Sequence, residues 1–284
     1  MDYPITGRTA ELLLNAALGE PMSTAMYEGL CAGSEGDPVT GVVVCYAPTF
    51  ELLSRAATEH KTMIVSREHP YYLHGGLNYG YTTGGLEAAL RGDRVIAAKR
   101  EVITTNHLMV YRFSTGWDQF RPQGQATALA KAMGLTPLPV APGDHMRGVV
   151  CDLPRTSLVS LAQIAVDRLK SGSPRIVGDL NATVTRVGVL SGETDPKQTL
   201  SKLISDPKVD GVIAGAGGMI DEVDGAIAYF RDVIATRKIA MLAVGYGPSQ
   251  EPGVAEMARW MQTALPELSV EYWPVNDPSW IPRS

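Results

Sequence analysis

The residues best suited to chemistry are Glu68 and His69, which follow the run Thr62-Met63-Ile64-Val65-Ser66-Arg67 and stand directly before Pro70. A carboxylate and an imidazole at the carboxyl end of a strand in an open α/β sheet face the crevice where such folds bind ligands. Pro70 stops the strand and fixes the direction of the exit. Three more polar clusters end apolar runs: Ser114-Thr115-Gly116-Trp117-Asp118, Ser191-Gly192-Glu193, and Gly245-Tyr246-Gly247-Pro248-Ser249-Gln250-Glu251. If these strands share a sheet, or face each other across two, the clusters converge on one crevice. One histidine with several carboxylates suits a divalent cation.

The elements that must position these groups alternate between strand and helix. Gly41 to Tyr46 is an apolar run of strand length, and Pro48-Thr49 opens a segment from Phe50 to Ala57 whose apolar residues recur at helical spacing. That segment leads into the strand ending at Glu68 and His69. Gly148 to Pro154 precedes Thr156 and the amphipathic stretch Leu158 to Leu169, echoing the first unit in its Gly-Val-Val opening, its Cys, its Pro and its Thr. The echo is either a weak internal duplication or two ordinary strand-to-helix turns. Further strands are expected at Asn106 to Phe113, Arg186 to Leu190, Gly211 to Ala214 and Ile239 to Val244. Short apolar strands alternating with helices argue for α/β or α+β layers. The Pro-, Gly- and Ala-rich stretch from Arg121 to Asp144 reads as a crossing between two lobes.

With 284 residues, 45% hydrophobic and 19% charged, the chain can bury one large core or two modest ones, and the length favours two. A net charge of -5 and a pI near 5.6 give no electrostatic reason to expect nucleic acid or an anionic membrane as partner. Cys31, Cys45 and Cys151 are an odd, dispersed set and read as small buried hydrophobes in a reducing compartment. Met1-Asp2-Tyr3-Pro4 carries no basic flank, and the apolar stretch Leu12 to Leu18 is too short for a membrane span. A soluble, cytoplasmic protein is the expectation.

The ordered motifs resemble the Nif-three-like family, ring-shaped dinuclear-metal proteins often labelled GTP cyclohydrolase type two. Glu68-His69-Pro70 is similar to the family's His-His-Pro after a strand. Asn106 through Tyr111, leading to Phe113-Ser114-Thr115-Gly116-Trp117-Asp118, is similar to its second motif. Thr185-Arg186-Val187-Gly188-Val189-Leu190-Ser191-Gly192 and Gly245-Tyr246-Gly247-Pro248-Ser249-Gln250-Glu251-Pro252-Gly253 follow in the family's order. The resemblance spans roughly residues 40 to 280. It implies two intertwined α/β lobes, with mixed sheets flanked by helices, and six chains closing into a homo-hexamer. The first lobe would combine residues 1–125 with 240–284 and carry the metal cleft; the second would be 126–239.

Carried residue by residue, the family's metal ligands fall on Glu68, His69, Asp118, Tyr246 and Gln250, of which only His69 and Asp118 keep the family's residue type. Ser114 replaces a histidine, and Ala216 stands where an acidic residue is common. Tyr246 is neutral at pH 7 and the Gln250 amide is an uncharged donor, so fewer anions offset the repulsion of two dications. The expectation is one divalent metal of the Zn, Fe or Mn class per chain, or none. Asp118 has a second use open to it, as N-cap of a helix over Gln119 to Met133.

Two functions stand side by side. In the first, a metal-dependent hydrolase of a nucleotide-like heterocycle, His69, Asp118 and Glu68 hold a cation whose bound water loses a proton, and Glu68 or Glu251 serves as general base. In the second, a ligand-binding or oligomeric scaffold protein has lost the dinuclear centre and is catalytically silent. A third reading, a flavodoxin-like nucleotide binder, would use the loop Gly215-Ala216-Gly217-Gly218, whose spacing matches no phosphate-loop fingerprint. Tyr71, Tyr72 and Trp117 suit stacking on a planar ligand, or packing in a core or between subunits. The segment Tyr71 to Tyr81 resembles a contact surface. His60, His107 and His145 read as structural or surface residues, and His74 as one that can bend back over the site.

Overall fold

A computed structural model describes residues 4–21, 28–73, 92–141, 146–192, 200–215 and 226–275. The expectations placed on His74, His145, Glu193, Ala216 to Gly218 and the tyrosine-rich segment from residue 74 onward lie outside the described residues. In chain order the elements are α1 (Gly7–Leu18), β1 (Gly29–Ala32), β2 (Val42–Cys45), α2 (Phe50–Thr58), β3 (Met63–Ser66), α3 (Arg94–Thr105), β4 (Met109–Arg112), α4 (Thr115–Phe120) and α5 (Gly124–Ala132). They continue with β5 (Thr136–Pro137), β6 (Gly148–Ser157), α6 (Leu158–Leu169), β7 (Arg175–Val177), β8 (Thr183–Leu190), α7 (Ser201–Ile204) and β9 (Gly211–Ala214). Last come α8 (Ala226–Arg237), β10 (Ala240–Ala243), α9 (Tyr246–Ala264) and β11 (Val270–Tyr272). The fold is α/β, with two mixed sheets flanked by helices.

These elements fall into two compact units, one within Met1–Phe120 together with Val254–Val275, the other within Arg121–Gly253. In unit 1 the sheet order is β1-β4-β3-β2-β11, with β4, β3, β2 and β11 parallel and β1 antiparallel to β4. Val42 to Cys45 and Met63 to Ser66 are buried at every position, as strands covered on both faces must be. Alternation divides them between two cores. Val42, Val44, Met63, Val65, Met109 and Tyr111 meet Leu14 of α1 and Met257 and Met261 of α9, while Val43, Cys45, Ile64 and Val110 meet Leu53 of α2 and Ile103 of α3. The amino ends of α2 and α3 are fixed by side-chain caps: Thr49 accepts from the Leu52 amide, and Asp93 from those of Val95 and Ile96.

Unit 2 holds a six-stranded sheet in the order β5-β6-β8-β9-β10-β7. Strands β8, β9 and β10 are parallel; the pairings β5–β6, β6–β8 and β7–β10 are antiparallel. The lobe boundaries differ from those the sequence suggested. Ala240 to Ala243 register against Gly211 to Ala214, so this strand belongs to the second sheet, and the chain passes between the units after Gly253, within α9, rather than before residue 240. The other crossing falls after Phe120. There Pro122 interrupts the expected helix from Gln119 to Met133, leaving α4 and α5 on either side. The segment expected as a strand from Asn106 begins only at Met109, because Asn106 caps α3 and His107 turns out of it at φ 52°. The Gly-Val-Val echo also differs in its pairing: β2 is parallel to both neighbours and β6 antiparallel to both of its own. Among the described residues no helix is long and apolar enough to cross a membrane.

Candidate functional site at the carboxyl edge of the first sheet

The end of β3 is bent by the end of β2. The amides of Arg67 and Glu68 both donate to the Tyr46 carbonyl, at 3.1 and 3.0 Å, and Ser66 Oγ donates to the Glu68 carbonyl at 2.7 Å. A turn follows in which the Tyr72 amide donates to the His69 carbonyl at 3.1 Å, with Pro70 supplying its fixed φ. His69 is buried, and its Nδ1 accepts the Tyr71 amide proton at 3.0 Å.

Arg67 points the other way, to Asp118. Its Nη1 and Nη2 donate to Oδ1 and Oδ2 at 3.0 and 2.9 Å, and the two side chains are 5% and 14% exposed. Asp118 lies in α4, whose leading amides are themselves held by an acid. Glu28 accepts from the Ser114 and Thr115 amides at 2.9 and 3.1 Å and pairs with Arg112 Nη1 at 3.1 Å, its side chain fully buried. Arg112 Nε donates to the Arg67 carbonyl at 2.9 Å. Glu28–Arg112 and Arg67–Asp118 are therefore two ion pairs joined through the Arg67 carbonyl. Removing an ion from water costs several kcal/mol, so such charges persist only when paired and multiply hydrogen-bonded, as these are.

As arranged, this donor set does not fit a dication. Both Asp118 oxygens face a guanidinium, which brings its own positive charge to the carboxylate. A metal-bound histidine donates its second ring N–H to an acceptor. His69 has the opposite polarity: Nδ1 accepts a hydrogen bond, so in the neutral ring the hydrogen sits on Nε2 and leaves no lone pair there. Among the described residues no three His, Cys, Asp or Glu side chains gather as a metal group would require. Glu68 is half-buried at the strand exit.

Tyr246, Gln250 and Glu251 belong to unit 2, in the first turns of α9 after β10. Ser249 organises them. Its Oγ accepts the Gly192 amide at 2.9 Å and donates to the Tyr246 carbonyl at 2.7 Å, while Ser191 Oγ donates to the Ser249 carbonyl at 2.9 Å. Gly192 sits at φ 68°, and a Cβ there would collide with the Gln250 side-chain amide. Within unit 1 the end of β3 reaches the Ser114–Asp118 cluster through Arg67, and within unit 2 Ser191-Gly192 meets the Gly245–Glu251 cluster through Ser249. Trp117 is core, packed against Phe113, Phe120 and Trp260.

Sequence reasoning passed over Glu28, Arg67, Lys99 and Arg112. Arg67 is flanked by more familiar ligand types, and the partners of Glu28 are distant in the chain. Lys99 left a signal, because Ile96, Lys99 and Ile103 recur on the buried face of α3.

The family model described as Duf34/NIF3 (NGG1p interacting factor 3) matches residues 20–274. The chain belongs to this family. Solved structures agree on the fold of this NIF3 member. Protein ybgI, of unknown function, is 18% identical with a TM-score of 0.69, over 96% of this chain and 100% of that one. A Bacillus cereus protein related to NIF3 is 16% identical with a TM-score of 0.68, over 98% and 100%. Staphylococcus aureus protein SA1388 is 18% identical with a TM-score of 0.67, also over 98% and 100%. No curated protein matches the sequence.

Proposed function

We propose that this NIF3-family chain is a metal-independent, catalytically silent binding protein for a small, nucleotide-like ligand, acting in the cytoplasm as a homo-hexamer. The observation that carries the reading is the fork of Arg67 on Asp118, which supplies from within the chain the positive charge that a cation would otherwise provide. The reversed polarity of His69 supports it. A hydrolase of the same fold needs a cation to acidify water, and here the carboxylate expected to hold it is already neutralised. Assembly is supported by α1, where Leu12 and Leu13 are 62% and 42% exposed.

Metal analysis and calorimetry test the reading together. Protein dialysed against Zn, Mn or Fe(II) is expected to retain no stoichiometric metal and to show an unchanged Tm, yet to bind a guanine nucleotide without turnover. Tight retention of metal that Asp118→Ala abolishes, together with metal-dependent consumption of GTP, would overturn it and restore the hydrolase. Light scattering checks the assembly.

A further inference from the structure

Lys99 occupies a core position. The residue is 2% exposed, between Ile96 and Ile103 on the buried face of α3. Its Nζ donates to the Pro70 carbonyl at 2.7 Å, and the Tyr72 ring covers it, with the centroid 4.5 Å and the hydroxyl 3.4 Å away. Burial lowers the amine to about 8, against an ordinary 10.5. An amine in that range carries a reactive lone pair near neutral pH, which a solvated lysine does not.

The cover differs from what it covers. Tyr72 is 50% exposed and its backbone stands at φ 61°, a left-handed conformation that costs a bulky residue free energy. The ring turns about its own side-chain bonds, leaving that backbone in place, and at half exposure it gives up little buried area. That uncovers Nζ on the side the ring now occupies, and the next residue of α3, Arg100, is exposed with its guanidinium 5.1 Å from the Tyr71 ring centroid, a cation on the same stretch of surface for an acidic substituent.

We propose that Lys99 is a latent nucleophile that captures a planar aldehyde or ketone carrying an anionic group, with Tyr72 as its movable cover. The neutral amine attacks the carbonyl carbon to give a carbinolamine. The C–O bond then breaks, and both amine hydrogens leave with the oxygen as water, so that a C=N bond replaces C=O with no change of oxidation state. The site uses neither the Arg67–Asp118 pair nor a metal, so it stands apart from the binding function proposed above.

The test is labelling with pyridoxal 5′-phosphate at pH 7.5, trapping the imine with borohydride and mapping the modified peptides. Lys99 is expected to react about ten-fold or more faster than any other lysine of the folded protein. Tyr72→Gly, which suits the backbone conformation, is expected to raise the Lys99 rate several-fold. Lys99→Arg should remove the fast adduct. Labelling of Lys99 no faster than that of surface lysines, in both wild type and Tyr72→Gly, would overturn the proposal, as would labelling that appears only in urea.

Discussion

Arg112 is tied to Arg67 through the main chain: its Nε donates to the Arg67 carbonyl at 2.9 Å while its Nη1 holds Glu28 at 3.1 Å. Two ion pairs on neighbouring parallel strands are thereby linked, and the loss of one group is felt by the rest.

The Arg67–Asp118 pair is expected to behave as a buried one. Arg67→Met and Asp118→Asn should each lower the unfolding free energy by about 3–5 kcal/mol, because each leaves an opposite charge or polar group uncompensated. The double variant should lose less than the sum of the two. Urea denaturation of all four proteins completes the cycle, and strict additivity would refute the coupling.

Glu28→Gln preserves shape and removes charge. Since one carboxylate serves three amides and a guanidinium, the cost should be about 1.5–3 kcal/mol. Hydrogen exchange gives the sharper readout: the Ser114 and Thr115 amides should lose protection ahead of β2 and β3.

Two glycines separate backbone strain from crowding. Gly19 closes α1 at φ 80° with no atom within 4 Å of an added Cβ, whereas Gly33 stands at φ 90° with the Leu108 carbonyl and the Met109 Cα, the latter at 2.9 Å, in the way. Gly19→Ala should cost about 1–2 kcal/mol from the left-handed backbone alone. Gly33→Ala should cost roughly 1–3 kcal/mol more. Equal thermal shifts in the two variants would show that the contact at Gly33 yields freely.

Lys99 gives stability a pH dependence of definite sign. The native amine releases its proton near 8 and the unfolded one near 10.5, so between those values the unfolded chain holds more protons and stability rises with pH. Below about 8 both states are protonated and the contribution is flat. Urea midpoints of wild type and Lys99→Met should therefore diverge from pH 8 to pH 10; parallel curves would show that burial leaves the amine unperturbed.

Much of this was legible where local physics decides. The Gly211 to Ala214 strand and the helix opened by Thr49 are found where apolar run and capping residue put them. Strands β1 and β11 left no such trace: Val270-Glu271-Tyr272 is three residues long and becomes a strand only beside β2. At the site, strand ends and ligand-type residues were readable, but the partner of Asp118 was not. Bidentate pairing depends on where α4 carries its carboxylate relative to β3, a tertiary fact. The same holds for Glu28, which reads as an ordinary surface acid and is fully buried.

The late return of the chain through α9 into unit 1 bears on how the molecule is made. Strand β2 has β11 as its outer neighbour, and β11 leaves the ribosome some two hundred residues afterwards. At roughly 5–20 residues per second that is a wait on the order of ten seconds or more, during which the nascent Val42 to Cys45 edge has no native partner on that side. Unit 2 is completed during that wait, and the apolar valines at that edge are what a chaperone would have to shield.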